Sequence, residues 1–573
     1  MANFTVSPGV TTNELDQTFL TGQPVQAGAA IIGPTVKGPV EVPTLVTSYS
    51  QYTSLFGDSF VSGGINYSYL TSIAAYNYFN YGGSSLLVAR VANGTYASAT
   101  STLIPTGSGT PNGTAGLSPF VLETISQGTI MNSTGSETLG VLINGSKDNI
   151  RFEITNTNTG SGTFNILIRQ GDDTPNNKNI LESFTNINLD PNSDRFISSV
   201  IGDQKLAYNN TNIQMELSGS YPNNSRYVRV KSVNYPTPIY LNSNGTISNL
   251  LYTGSLPVDG SGSFGSATGT VSSTISGSMY ELIDTVTQGL AASDYDKMVA
   301  LFGNKEAYQF NLLFTPGLLN NKHASVVSTI ISNTQNRGDN LYVLDLIDYS
   351  GTVTTTITQA QTRNTSYAAS YWPWVRIVDP ATGKQVWVPA STVIPGVYAF
   401  NDKVSAPWFA PAGINRGGLS TVLQAQFKLT QANKDSLYSN NVNPLATLPR
   451  NGVVVFGQKT LQKQASALDR VNVRRLMIEM KNYIRQIADT IVFEQNTIAT
   501  RNSFVARVTP FLEGIQQKQG LYAYKIIMDE SNNGPAVIDQ NQLIGQIYIQ
   551  PTRTAEFISL DFILLPTGAE FPG

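Results

Sequence analysis

The clearest hydrophobic pattern lies in the last fifth of the chain. Apolar residues recur every three or four positions, at Val473, Leu476, Met480, Tyr483, Ile487 and Ile491. This spacing places them on one face of a helix, and Asn472 suits the N-cap position. The pattern predicts a helix over residues 473–493, roughly 30 Å long at 1.5 Å per residue.

A second, shorter helix and three strands are predicted to follow. Thr509 suits the cap of this helix, Pro510 its first position and Gly520 its exit. Runs rich in β-branched and aromatic residues predict strands at 521–528, 543–550 and 556–564, after an earlier strand at 453–457. The region therefore reads as an α+β unit that ends in an exposed strand.

The first 24 residues show an alternating pattern. Phe4, Val6, Val10 and Thr12 fall on alternate positions around a rigid Pro-Gly pair, and no hairpin partner lies nearby in the sequence. A lone strand must pair elsewhere. The pattern predicts an extended N-terminal arm.

Between the arm and the C-terminal unit, an α/β pattern is interrupted and resumes. Strands are predicted at 29–32, 86–91, 309–314 and 341–346, and helices at 69–81 and 324–335. Two Gly/Ser/Thr-rich stretches, 93–118 and 253–279, bracket alternating runs such as 150–155 and 163–169. The chain is predicted to leave an α/β core and return to it after an all-β insertion.

These patterns predict an α+β multidomain protein. Its predicted divisions are an extended arm (1–24), an α/β core (25–92 with 280–365), an inserted β-rich region (93–279), a crossover segment (366–450) and a C-terminal domain with a terminal strand (451–573).

Composition narrows the class of protein. Charged residues make up 13% of the chain beside 49 glycines and 28 prolines, which is typical of a β-rich, loop-rich globular protein. A formal net charge of -3 argues against electrostatic binding to nucleic acid or an anionic membrane. The absence of cysteine excludes disulfides and thiol nucleophiles. No secretory signal and no membrane span are recognised, so we expect a protein kept in the cytoplasm until it joins an assembly.

The sequence offers few parts for catalysis. His323 is the single histidine, and its turn-like context predicts a surface position. Gly383-Lys384 lacks the other residues of a phosphate loop and predicts a turn between strands. Asp529 and Glu530 are adjacent, so on a strand they point to opposite faces and do not form a glycosidase pair. The four tryptophans are predicted to pack around a proline-rich crossover. We therefore expect no enzyme activity, no metal and no cofactor.

Several motifs resemble those of the contractile-tail sheath proteins of bacteriophages and related injection machines. The motifs are SPGV (7–10), ESFTNINLDP (182–191), PWFAPAGINRGG (407–418), NVRR (472–475), FEQNT (493–497) and NNGPAVIDQNQLIGQIYIQPTRTAEFISLDF (532–562). The similarity is clear over about 370–573, fair over 1–91 and 280–360, and weak over 92–279.

The resemblance implies an architecture and a set of partners. The core would be built from both chain ends, with the insertion on the outer surface. Subunits would stack as hexameric rings around a tail tube, and contraction would drive the tube through the host envelope during genome delivery. The partners would be neighbouring sheath subunits, the tail tube protein, and baseplate and tail terminator proteins, without direct nucleic-acid binding or membrane insertion. The protein would belong to the virion tail and assemble in the host cytoplasm.

In such an assembly the terminal arms add strands to neighbouring subunits. The candidate strand-exchange residues are Phe4, Val6, Val10, Thr12, Phe557, Leu560, Phe562 and Ile563. Residues 450–485 also hold eight Lys/Arg against two acids. This charge is either a solvated helix face or, as the resemblance favours, a surface on which Arg474, Lys481 and Arg485 face an acidic tube.

Three alternatives remain at this point. One is the sheath of a bacterial contractile injection system. The others are a β-rich surface-layer or adhesion protein and a carbohydrate-active enzyme. The missing secretion signal counts against surface display, and the missing acid-base residues count against the enzyme.

Overall fold

The computed structural model describes residues 25–557, except 108, 113–115, 134–136, 139, 271–277 and 279. The helices of this part are α1 (Tyr49–Phe56), α2 (Leu70–Asn80), α3 (Ile197–Ile201), α4 (Leu251–Ser255), α5 (Asp296–Leu301), α6 (Ala324–Arg337), α7 (Val353–Gln361), α8 (Ile394–Val404), α9 (Gly413–Arg416), α10 (Gln431–Ser439), α11 (Val471–Asp489), α12 (Ile498–Gln517) and α13 (Pro535–Asp539). Within these described ranges, none of the helices has the length and apolarity that crossing a bilayer requires.

The strands, in chain order, are β1 (Val25–Gly33), β2 (Thr44–Val46), β3 (Phe60–Ser62), β4 (Ile65–Tyr67), β5 (Leu86–Arg90), β6 (Ser98–Ser101), β7 (Phe120–Gln127), β8 (Glu137–Thr138), β9 (Val141–Leu142), β10 (Ile150–Asn158), β11 (Thr163–Gln170), β12 (Ile180–Asn188), β13 (Lys205–Asn209), β14 (Gln214–Ser218), β15 (Val228–Val233), β16 (Gly260–Gly265), β17 (Val286–Thr287), β18 (Leu290–Ala291), β19 (Tyr308–Leu319), β20 (Leu341–Asp345), β21 (Ala368–Trp372), β22 (Val375–Val378), β23 (Gln385–Val388), β24 (Val422–Ala425), β25 (Asn443–Leu448), β26 (Gly452–Val455), β27 (Leu521–Ile527) and β28 (Gln546–Pro551). The prediction of a protein that mixes helices with strands in several sheets is confirmed.

The largest sheet has eight strands in the order β2-β5-β1-β19-β20-β21-β25-β26. Its central strands run parallel, and the two edge strands, β2 and β26, are antiparallel to their neighbours. Parallel strands are usually covered on both faces. Here Ile31 and Phe314 belong to the apolar cluster of one face, and Ile32 and Leu313 to the cluster of the other.

The segment predicted as a crossover takes part in this sheet. β21 and β25 both lie within residues 366–450 and pair in parallel, and β26 continues the sheet from the region assigned to the C-terminal domain. The remaining strands of the segment, β22, β23 and β24, form a separate three-stranded sheet.

A second large sheet is antiparallel and has the order β12-β11-β10-β16-β6-β7-β15. All of its strands come from residues 98–265. It has its own apolar core, in which Phe120 stacks on Phe164 with ring centroids 5.5 Å apart. Along β11 buried and half-buried residues alternate for most of the strand, as expected for a sheet with one covered face.

The C-terminal unit combines α11 and α12 with the two-stranded sheet of β27 and β28. Its first helix begins at Val471, so the expected N-cap Asn472 lies inside the helix. The prediction that Thr509 caps the second helix is wrong. Thr497 is the cap, accepting a hydrogen bond from the Thr500 amide, and Pro510 lies inside α12. The apolar stripe continues unbroken through Phe504, Val508 and Leu512, because packing outweighs the single backbone donor that a proline removes.

Candidate assembly surface

The C-terminal unit has a small core of its own. Leu476 and Met480 from α11 pack against Phe504, Val508 and Leu512 from α12. On this pair of helices lies the hairpin of β27 and β28, which pair antiparallel. The aromatic rings of Tyr483 and Phe511, from the two helices, stack with centroids 3.8 Å apart. The helix pair is therefore a rigid base for the hairpin.

The hairpin covers this base incompletely. Leu521 is buried, but most of the apolar residues that the hairpin directs toward the helices are only partly buried, and they include Tyr524, Ile526, Ile547 and Ile549. On the other face Tyr522 and Tyr548 are 64% and 55% exposed. Over the ranges that the structure covers, no third strand pairs with either one. Both outer edges therefore present backbone groups to which another strand can bind.

The last described residues are held against the body of the protein by Glu556. Its carboxylate accepts hydrogen bonds from the Tyr438 hydroxyl at 2.6 Å and from Arg470 Nε at 2.8 Å, and from Gln458 Nε2 at 3.0 Å. Burial acts to raise the pKa of Glu556, but these hydrogen bonds outweigh it and hold the pKa below its ordinary value. The next residue, Phe557, is 83% exposed. Glu556 thus anchors the last described residues to the body of the protein.

Of the predicted strand-exchange residues, the structure places Phe557 alone. Phe4, Val6, Val10 and Thr12, and likewise Leu560, Phe562 and Ile563, lie outside the described residues. Their pairing stays a prediction.

The three predicted tube-facing residues do not share one exposed surface. Arg474 is only 4% exposed, with its guanidinium 4.0 Å from the centre of the Tyr367 ring and a hydrogen bond to the Ser366 hydroxyl. Burial lowers its pKa. The expectation that Arg474 faces a partner is therefore corrected: the first turns of α11 are buried on every side, whereas an apolar stripe in the sequence indicates burial of one face only.

Lys481 and Arg485 remain on the surface. The Lys481 ammonium lies 3.3 Å from the Tyr367 hydroxyl. Arg485 forms an ion pair with Glu306, and its Nε lies 3.9 Å from a carboxylate oxygen of Asp489. Exposed pairs of this kind contribute little to stability, so these cations can exchange partners at low cost.

Sequence reasoning missed Arg475, the neighbour of Arg474. Arg475 is 4% exposed and donates two hydrogen bonds to the Asp402 carboxylate, one at 2.8 Å and one at 2.5 Å. Its guanidinium also lies 4.9 Å from the centre of the Tyr398 ring. Burial acts to lower the pKa of Arg475, but Asp402 outweighs it and raises the pKa. The pair fixes α11 against α8, and no local pattern could reveal a partner 73 residues away.

The residues considered for catalysis lie in the packed interior or in a turn. The prediction of a surface His323 is wrong, because the side chain is 2% exposed and its Nδ1 accepts a hydrogen bond from the Leu319 amide at 3.0 Å. Burial lowers its pKa. Gly383 lies in the turn that joins β22 to β23, as predicted. Trp372 and Trp374 are buried. Among the described residues no group of three or more His, Asp or Glu could hold a metal ion.

Comparison with known proteins links these regions to one family. Residues 288–461 match the model of the phage tail sheath protein central domain, and residues 463–564 match that of the phage tail sheath C-terminal domain. The tail sheath protein of Vibrio phage KVP40 is 38% identical over 208 residues, which are 36% of this chain and 31% of that protein. The tail sheath protein of Enterobacteria phage T4 is 38% identical over 185 residues, 32% of this chain and 28% of that protein.

The matched segments thus cover less than a third of either relative. A solved sheath tail protein from Listeria innocua shares the fold with a TM-score of 0.54 and 10% identity, covering 92% of this chain and 95% of that one. The resemblance found in the sequence is confirmed by these matches.

Proposed function

We propose that this chain, which carries the central and C-terminal domains of a contractile-tail sheath protein, is the repeating subunit of a contractile sheath. Its copies stack as hexameric rings around a tail tube, and contraction drives the tube through the host envelope during genome delivery. The core is built from strands on both sides of the inserted β-rich region, which lies on the outer surface. The protein has a structural role and no catalytic one.

The observation that supports this function best is the incomplete sheet of β27 and β28. A two-stranded sheet is marginal by itself, and most apolar residues of this one, such as Tyr524, Ile526, Ile547 and Ile549, are only half-buried against the helices. An arm from a neighbouring copy that adds one strand would form about four to six backbone hydrogen bonds, each worth about 0.5–1.5 kcal/mol. Residues 1–24 and the segment after Phe557 are the arms that we assign to this pairing.

Strand exchange gives contraction a mechanism. The large sheets are rigid bodies with dense cores, so their packing against neighbours can change while each stays intact. The exchanged strands keep the lattice connected during this change. The assembly would begin in the host cytoplasm, end as part of the virion tail, and meet baseplate and terminator proteins at its two ends.

Contact with the tube is assigned to Lys481 and Arg485 on α11. Both are accessible, and the pairs that they make within one copy are weak. Acidic residues on the tube surface can therefore form ion pairs with Lys481 and Arg485. Arg474 is omitted from this assignment because it is buried.

Negative-stain electron microscopy of the purified protein, alone and with its tail tube protein, tests the proposed function. Long hollow tubes with helical surface ridges are the expected result. Uniform monomeric particles in both samples would contradict the proposal and favour a surface protein or an enzyme.

A further inference from the structure

The turn between α11 and α12 carries an aromatic side chain in an unfavourable position. We call residues 490–498 the hairpin tip. Phe493 is 99% exposed, and its backbone φ of +71° lies in the left-handed region that favours glycine. Val492, the preceding residue, and Ile498, the first residue of α12, are 58% and 59% exposed. Three large apolar side chains exposed within one short turn indicate a surface that another protein covers.

Hydrogen bonds hold the hairpin tip in this shape. The Glu494 amide donates to the Ile491 carbonyl at 3.1 Å, and the Thr500 hydroxyl donates to the Gln495 carbonyl at 2.7 Å. Asn496 Nδ2 also donates to the Gln542 carbonyl at 2.9 Å, which ties the tip to the segment before β28. Strained residues that the surroundings fix in this way are concentrated at functional sites. These hydrogen bonds thus hold the backbone of the tip in a conformation that exposes Phe493 to solvent.

A cavity lies between the C-terminal unit and residues 408–458. It is a groove of 920 Å³, which we call the aromatic groove, and its aromatic lining residues are Trp408, Phe409, Tyr438, Phe456, Tyr522 and Phe557. Phe456 and Tyr522 are 46% and 64% exposed. The groove is much larger than one aromatic side chain and has apolar surface for it to contact.

The hairpin tip cannot reach the groove of its own chain. The tip precedes the N-terminal end of α12, whereas Gln516, at the C-terminal end of the same helix, lines the groove. A helix of 20 residues spans about 30 Å at 1.5 Å per residue. A contact between tip and groove must therefore join two copies of the chain.

We propose that the hairpin tip of one copy inserts Phe493 into the aromatic groove of the next copy. Such a contact joins different surfaces, so it repeats from copy to copy and forms a ring or a helical filament. It rests on the proposed sheath function, and the groove shares Tyr522 and Phe557 with the surface assigned to strand exchange.

The charges around the two surfaces are complementary. Glu494 is exposed next to Phe493. The groove is lined by Arg416, Lys434 and Arg553, and its acids are Asp435 and Glu556, of which Glu556 is already paired with Arg470. The Arg416 guanidinium lies 5.1 Å from the centre of the Phe409 ring, and the Lys434 ammonium 5.2 Å from that of Phe456. If Phe493 enters the groove, the Glu494 carboxylate next to it comes close to the cations that line the groove.

Crosslinking tests this contact, because the chain has no cysteine. Two single-cysteine variants, Phe493→Cys and Phe456→Cys, are each doped into an excess of wild-type protein, assembled together and treated with a short bismaleimide. We expect covalent dimers that contain one copy of each variant. Val61→Cys, at a site 72% exposed on β3, replaces Phe493→Cys as the matched control and should give none.

A measurement of assembly is the second test of this contact. Phe493→Ser should raise the protein concentration needed for tube formation by about 10-fold or more, while Phe493→Tyr should restore it and Val61→Ser should leave it unchanged. The melting temperature of each monomer should equal that of the wild type, because Phe493 makes almost no buried contact within one copy.

The outcomes separate this proposal from the sheath function. If wild-type tubes form but Phe493→Ser assembles equally well, or no crosslink appears, the tip contact is refuted and the sheath function stands. If the wild type forms no tubes, both fail. A double variant, Phe562→Cys with Phe456→Cys, tests whether the C-terminal end of the same chain occupies the groove. A crosslink within this chain, together with no crosslink from Phe493→Cys, would assign the groove to that end and overturn the proposal.

Discussion

The eight-stranded sheet and the two-stranded sheet of the C-terminal unit bury their side chains to very different degrees. All five residues of β5 are buried, whereas β28 alternates between exposed and half-buried residues. Among the described residues, one chain supplies eight strands to the large sheet and two strands to the small sheet, which lies on a pair of long helices. We infer that the first sheet supports the fold of one copy and the second receives strands from other copies.

Deleting residues 1–16 would separate the two roles most strongly. The deletion removes one of the proposed exchanged strands, so we expect ordered polymerisation to be abolished. The eight strands described for the large sheet all lie between Val25 and Val455, so the monomer should keep its melting temperature. Sedimentation and electron microscopy measure assembly, and calorimetry measures the fold. Tubes of normal length from the truncated chain would refute the strand-exchange account.

Truncating one apolar side chain in each sheet gives a matched pair. Phe314→Ala in β19 empties a fully buried site between Ile31 and Val343, and should lower the free energy of unfolding by about 3–5 kcal/mol. Ile549→Ala in β28, at a half-buried site, should cost about 1 kcal/mol in the monomer. Urea unfolding of both variants measures the difference. Equal losses would show that the small sheet is already complete in one copy.

Charge reversal on α11 compares a buried cation with an exposed one. Arg474→Glu places a carboxylate in a buried site against Tyr367 and should lower the free energy of unfolding by about 3 kcal/mol or more. Arg485→Glu, at an exposed pair with Glu306, should change it by less than about 0.5 kcal/mol and weaken tube-templated assembly. Thermal unfolding and assembly on purified tube protein give the two readouts. Unchanged assembly of Arg485→Glu would refute the tube-facing assignment.

A smaller effect is expected at Asp345, at the end of β20. Burial raises its pKa to about 7, although the Ser391 amide and hydroxyl donate hydrogen bonds to it. The folded state binds this proton more tightly than the unfolded state, so the stabilisation present below about pH 4 is lost as the pH rises through about 7. Asp345→Asn should thus be more stable than the wild type at about pH 8, by on the order of 2 kcal/mol, and nearly equal at about pH 4. If the wild type and Asp345→Asn show the same dependence of unfolding free energy on pH, the raised pKa of Asp345 is refuted.

Strands with strong local signals could be predicted from the sequence. The expected strands at 29–32, 86–91 and 341–346 correspond to β1, β5 and β20, because their apolar runs are buried on both faces. β21 and β25 were not predicted. Their sequences, AASYW and NPLATL, contain small residues and a proline in place of a β-branched run.

The surroundings of single residues could not be predicted in the same way. Arg474 and Arg475 are buried by Tyr367 and by Asp402 and Tyr398, which come from distant parts of the chain. His323 follows a turn-forming sequence but packs under it. Local pattern reports which face of an element is apolar, whereas the depth of burial is set by what packs against it.

Amide hydrogen exchange of the same protein before and after assembly tests the central claim most directly. In the monomer, we expect rapid exchange for the backbone amides of β27 and β28 that face the open edges, and slow exchange for those of β1 and β19. In assembled tubes, the protection of β27 and β28 should rise strongly, because new strands pair with them, while that of β1 and β19 stays the same. Tubes in which β27 and β28 exchange as fast as in the monomer would contradict the account.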